Sequence, residues 1–238
     1  MSGNYSFSTR DISRRLGGEM KEVLFDPRAV AGKEQEIYYM VYRNIEIVNG
    51  KIKYDVTEIP AGKVGKEFRK TFGHYHKNNL PEFYEVLEGH AYFLLQYSSQ
   101  DPTEIKEAYI VEALIGEKMI VPPGYGHLTI NVGRPTLLLA NWIGLMDYDY
   151  EPYKKLHGGC YYILDGGQTI EFEKNKNYKT VPELKKLKLK KNLPELGLKK
   201  DNYQPILNLK NSPEKLDWLI NPEKYKELLT IEKLYREL

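Results

Sequence analysis

The sequence has one cysteine, Cys160, among 238 residues. No disulfide can close within the chain, which excludes a disulfide-stapled extracellular scaffold and fits a reducing, cytoplasmic setting. A run of about eighteen apolar residues, the length a membrane helix needs, occurs nowhere, and Met1 to Arg15 lacks the apolar core of a signal peptide. Charge of one sign is not in excess either. The 35 basic and 33 acidic side chains leave a net +2, which removes any global electrostatic case for nucleic acid or membrane as partner. Glycine patterns for dinucleotide or phosphate loops are also missing. The function must come from a local site.

What is present divides into three regions. Residues 1–34 are polar and mixed, as in an arm that packs over something else. Residues 35–175 break into short runs rich in Val, Ile, Tyr and Phe: 37–41, 51–57, 83–87, 91–96, 108–113, 118–121, 128–132, 136–142 and 161–164. Punctuated by Gly, Pro and Asn, these runs predict strands of an all-β sandwich or barrel. Residues 176–238 form a lysine-rich extension, with Lys185, Lys186, Lys188, Lys190, Lys191, Lys199 and Lys200 close together. Charge runs of this kind are usually solvated faces. Ser212-Pro213-Glu214 and Asn221-Pro222-Glu223 each read as a helix start, so helices are predicted over 213–220 and 222–237. Leu228, Leu229, Ile231, Leu234 and Leu238 would give the second an apolar face.

Of five histidines, three fall in two compact segments. In Gly73-His74-Tyr75-His76 the two imidazoles are two residues apart, so on a strand both point to one side. A turn through Asn78, Asn79 and Pro81 can then return Glu82 to the same space. The second segment, Gly116 to His127, ends in a stiff Pro122-Pro123-Gly124 turn that would fix His127 at a strand start. Three imidazoles and a carboxylate suit one divalent ion such as iron(II), manganese, nickel or zinc.

The two segments resemble the paired signatures of the cupin superfamily: an HxH, a Glu and then Gly89, followed by Gly116, Pro122, Gly124, His127 and Asn131. The resemblance implies a cupin jelly-roll β-barrel with His74, His76, Glu82 and His127 as metal ligands. Further pieces are similar to the archaeal-type, cupin-fold glucose-6-phosphate isomerases. They are Ser13-Arg14-Arg15-Leu16, Tyr39-Met40-Val41-Tyr42, the run Gly62 to Phe68, Thr71-Phe72-Gly73, Glu82-Phe83-Tyr84 and Val121-Pro122-Pro123.

This second resemblance implies a metal-dependent aldose–ketose isomerase that interconverts glucose 6-phosphate and fructose 6-phosphate as a homodimer. Glu82 is then the implied proton shuttle, and Tyr150 a second catalytic group. Substrate contacts fall by position on Tyr39, Thr57, Thr71, Gly73, Tyr84 and Tyr150. Two positions depart from the family pattern. Tyr148 stands where the family has a histidine, and Trp142 stands where it has a tyrosine near the phosphate. His157 could replace the lost imidazole or be a turn residue, and Gly158-Gly159 beside it points to the turn. His90 reads as structural. Two other readings share these ligands: a cupin iron(II) dioxygenase and a non-catalytic sugar-binding cupin.

Overall fold

A computed structural model describes residues 7–9, 11–198 and 204–238. Lys199 and Lys200 of the lysine-rich run, and part of the N-terminal arm, lie outside the described residues. The strands in chain order are β1 (Ile12–Leu16), β2 (Ile37–Val48), β3 (Ile52–Ile59), β4 (Lys63–Val64), β5 (Glu67–Phe68), β6 (Tyr75–His76), β7 (Glu82–Glu88), β8 (His90–Ser98) and β9 (Ile105–Leu114). They continue as β10 (Lys118–Val121), β11 (Gly126–Asn131), β12 (Leu137–Gly144), β13 (Tyr148–Asp149), β14 (Tyr161–Asp165), β15 (Ile170–Lys174), β16 (Lys185–Leu189) and β17 (Tyr235–Glu237). Three α-helices, α1 (Gly17–Met20), α2 (Glu151–Lys155) and α3 (Ile231–Leu234), are short.

Two sheets carry the all-β cupin architecture. One has the order β1-β2-β3-β12-β7-β10 and the other β11-β8-β9-β16-β17. The expected barrel does not close by strand pairing among the described residues. Residues on its open side meet through single bridges, Lys70 with Ile130 and His74 with His127. Apolar residues of both sheets share one core, and a Tyr84–Phe93 ring contact at 5.3 Å joins them. Each of the nine predicted runs falls on a strand to within one residue at its ends.

Alternation along the six-stranded sheet sorts its residues between two faces. On the outer face Tyr54 and Trp142 pack at 5.0 Å, and Phe83 meets Trp218 of the C-terminal extension at 5.6 Å. The Trp142 indole N–H donates to the Ile206 carbonyl at 2.7 Å, and Glu85 accepts from the Ile206 N–H at 2.7 Å. Burying an aromatic side chain contributes about 1.5–3 kcal/mol, so Trp218, at 1% exposure, secures the extension more than any surface ion pair on it.

The extension differs from its predicted form. Pro213–Leu219 is 3-10 rather than α, and the second predicted helix breaks into a 3-10 turn (Pro222–Tyr225), α3 and β17. Thr230 restarts the chain as an N-cap, its hydroxyl accepting from the Lys233 N–H at 3.4 Å. Segments this short have little intrinsic helical stability, so docking decides their form. Leu229, Ile231 and Leu234 are buried, whereas Leu238 is exposed. Part of the lysine run forms β16, parallel to β9, with Leu187 buried and Lys188 paired to Glu117 at 2.5 Å.

Candidate metal centre

The HxH segment is held by backbone pairing at both histidines. His74 exchanges N–H and carbonyl with His127 at 3.1 and 3.0 Å, and His76 pairs with Tyr148 across β6 and β13. Gly73 precedes them at φ +87°, and a Cβ there would lie 2.5 Å from the Tyr153 ring. Only glycine permits that approach. Asn79, at φ +52° in the left-handed region, turns the chain back, and its N–H donates to the His76 carbonyl at 3.1 Å. Glu82 then enters at the start of β7. His127 follows the Pro122–Gly124 turn as the second residue of β11.

The four predicted ligands converge, each offering one ligand atom, all within 4.8 Å of one another. Ring centroids lie 4.5 Å apart for His74 and His127, and 5.2 Å for His76 with either neighbour. Glu82 Oε2 lies 3.3 Å from His76 Nε2 and 3.2 Å from His127 Nε2. His76 Nδ1 bonds the Leu80 carbonyl at 2.6 Å, which makes Nδ1 the protonated nitrogen and turns the Nε2 lone pair inward.

Buried and without a hydrogen bond are His74 Nε2, His76 Nε2, Glu82 Oε2 and His127 Nδ1. An unsatisfied buried polar atom costs about 1–3 kcal/mol, so this cluster is unfavourable as it stands. A divalent cation would offset the cost, and the donor set fits one. Burial, then the neighbouring His127 and His76, push the His74 imidazole well below its usual range, so it is a neutral ligand. Burial opposes ionisation of Glu82, but the adjacent His127 and His76 rings outweigh it and hold the carboxyl below its usual range.

The centre opens into a pocket whose lining includes Tyr39, Thr57, Thr71, Gly73, Tyr84 and Tyr150, together with Glu82, His74 and His127. Every predicted substrate contact is therefore in one place. The Tyr84 hydroxyl lies 3.2 Å from His127 Nε2. Burial, then Tyr39 and Tyr148, push Tyr150 up to about 12, so it keeps its proton near neutral pH. Beyond the lining, the Arg15 guanidinium lies over Phe72 at 5.0 Å and Tyr150 at 5.7 Å, a cation beside that wall of the pocket.

Residues 14–182 match the family model described as Glucose-6-phosphate isomerase (GPI). The chain belongs to that family. Among similar relatives, the glucose-6-phosphate isomerase of Pyrococcus abyssi is 35% identical over 147 residues, 59% of this chain and 74% of that protein. That of Thermococcus onnurineus is 32% identical over 164 residues, 67% of this chain and 83% of that protein. Of solved structures, Lactobacillus farciminis oxalate decarboxylase covers 47% of this chain and 30% of its own, at 19% identity and a TM-score of 0.36.

Within this isomerase-family pocket, both departures from the family pattern have a structural outcome. Tyr148 lines the pocket with its ring 4.5 Å from His74, so a phenol occupies the place of the imidazole. Trp142 does not enter. Its indole faces the opposite side of β12, bonded to Ile206, so it supplies no pocket donor. Its neighbour Asn141 lines the pocket instead.

Sequence reasoning also missed Arg43 and Asp55. The Asp55 carboxylate is buried and accepts from the Asn44 N–H at 2.8 Å, with Lys53 Nζ at 2.8 Å and Arg43 Nη1 at 3.6 Å. Arg43 Nε is fixed on Ser13 Oγ at 2.9 Å. The available signal was period two, since Lys53, Asp55 and Thr57 share one side of β3. His157 is an exposed turn residue at φ +56°, and His90 pairs with Glu112 at 2.7 Å, both outside the pocket.

Proposed function

We propose that the chain interconverts glucose 6-phosphate and fructose 6-phosphate, with His74, His76, Glu82 and His127 holding one divalent ion. One observation carries this reading: in a chain of this family, ligand atoms of four residues converge at the end of a polar pocket, and those of His74, His76 and Glu82 are buried without a hydrogen bond. Such an ion, when bound, supplies Lewis-acid polarisation of adjacent sugar oxygens. Iron(II), manganese, nickel and zinc all suit the donor set.

The chain's own residues perform the remaining tasks. Glu82 is ionised and can carry the proton between C1 and C2 of the open-chain sugar through its second carboxylate oxygen. The phosphate goes to the end furnished by Tyr39, Thr71, the Gly73 N–H and Tyr150, where Arg15 supplies positive charge. Thr57 and Tyr84 face the sugar between the two ends. Tyr150, protonated near neutral pH, serves as donor rather than base. No helix among the described residues is long and apolar enough to cross a membrane. A cytoplasmic homodimer completes the reading, and sedimentation of the purified protein tests the dimer.

A coupled assay with each metal in turn, comparing glucose 6-phosphate with mannose 6-phosphate, tests the function. Turnover that chelation abolishes and metal restores is expected. No turnover with any of the four ions would sink the proposal.

A further inference from the structure

Three asparagines are buried among the described residues, and two of them are fully employed. Asn131 donates to the Ile59 and Pro135 carbonyls and accepts from the Gly133 N–H. Asn175 donates to the Leu156 and Gly159 carbonyls and accepts from the Asn177 N–H. The third, Asn141, is 4% exposed, lines the pocket, and its amide has no hydrogen bond among the described residues. Its same-side neighbours on β12, Leu139 and Ile143, are apolar, so packing alone would accept a leucine at 141. An amide that lines a pocket with no partner on the protein keeps both its donor and its acceptor for whatever enters.

Strand register says what that is. Asn141 lies beside Asp55 of β3 and Tyr84 of β7. Two residues one way, Ile143 is level with Glu82 of the metal centre. Two residues the other way, Leu139 is level with Thr57. Each step is roughly 7 Å, so Asn141 is midway between the end that holds the reacting carbons and the polar wall that leads to the phosphate end. Asp55 and Tyr84 already have hydrogen-bond partners, which leaves the amide as the free donor and acceptor at this level.

We infer that Asn141 hydrogen-bonds a hydroxyl on the middle carbons, C3 or C4, of an open-chain polyhydroxy sugar phosphate, and so sets which sugars the pocket turns over. The inference rests on the isomerase reading and names a specificity residue within it. Asn141 touches no reacting atom.

The test is a cycle between side chain and substrate. Glucose 6-phosphate and its 3-deoxy and 4-deoxy analogues are turned over by the wild type, Asn141→Leu and Asn141→Ser, each loaded with the same metal. In the wild type, loss of one hydroxyl lowers kcat/KM about tenfold. In the variants, kcat/KM for the full substrate falls by a similar factor, and removing that same hydroxyl then changes it by less than about twofold. Equal penalties in wild type and variants would overturn the inference. So would a wild type indifferent to both deoxy analogues, whatever the variants do. If the wild type turns over no hexose phosphate, the isomerase reading fails. Calorimetric binding of glucitol 6-phosphate and its 3-deoxy and 4-deoxy forms then reads the same coupling without catalysis, with the same two outcomes.

Discussion

The two faces of the six-stranded sheet are built from the same strands, one residue out of step, and are finished in opposite ways. On the outer face, Tyr54, Trp142 and Phe83 are covered by the extension, and the polar groups there, the Trp142 indole and Glu85, each have a partner on it. On the inner face, Glu82 Oε2 is buried without one, and Asn141 lines the pocket with no side-chain hydrogen bond to another described residue. The outer face is nearly complete as folded, with the buried Trp218 indole N–H left without a hydrogen bond. The inner face is complete only with a ligand, so the two should separate cleanly under mutation.

The largest effect is expected from Glu82→Gln on the inner face. It removes a ligand and the proposed proton carrier, and should lower kcat/KM by about three orders of magnitude. Turnover and metal content of the purified variant check it, and denaturant unfolding of the metal-free protein should change far less.

Asp55→Asn comes next. Lys53, 7% exposed, would keep its charge with no anion beside it. Breaking such a buried pair costs about 3 kcal/mol, measurable as a shifted urea midpoint. A midpoint unchanged within error would mean that the Arg43–Asp55–Lys53 cluster is solvated.

Trp142→Phe probes the outer face. It vacates part of a packed site and leaves the Ile206 carbonyl without its donor, a loss of about 2 kcal/mol. Turnover should stay close to wild type, because the indole does not enter the pocket. A large fall in kcat with full stability would restore Trp142 to the site.

The smallest effect concerns Glu85, also on the outer face. Burial raises its carboxyl above 4.5, against the lowering effect of the Ile206 N–H and Lys118. The folded state therefore holds the proton to higher pH than the unfolded chain. Stability should fall as pH rises from 4.5 through the folded-state value. Unfolding curves across that window should show the slope, and Glu85→Gln should flatten it.

The metal end of the pocket was legible in the sequence because its residues are chemically rare and their spacing is fixed by strand and turn. Five histidines are few enough for His74, His76 and His127 to stand out. Strand runs were equally plain. Arg43, Asp55 and Asn141 were not, since charged and amide residues on a strand ordinarily face water. Their inward direction follows from pairing with strands distant in the chain, such as the Asp55–Asn141 register. Trp142 was misplaced for the same reason: similarity to a family position does not say which side of β12 the side chain takes. In the extension, caps located the starts at Pro213 and Pro222. They could not say that docking against the sheet would replace long helices with turns and a strand.

The lone cysteine has a practical consequence. Cys160 is fully buried, burial pushes its thiol up, and its N–H is tied to the Gln96 side chain at 2.8 Å. Thiol-reactive dyes label thiolates that solvent can reach. A dye added to the folded protein can therefore react only during openings of the β14 region. The chain carries its own single-site reporter of breathing, with no second thiol to confuse the signal. Slower labelling on metal addition would measure how far an ion at the histidines tightens a strand well outside its ligand set.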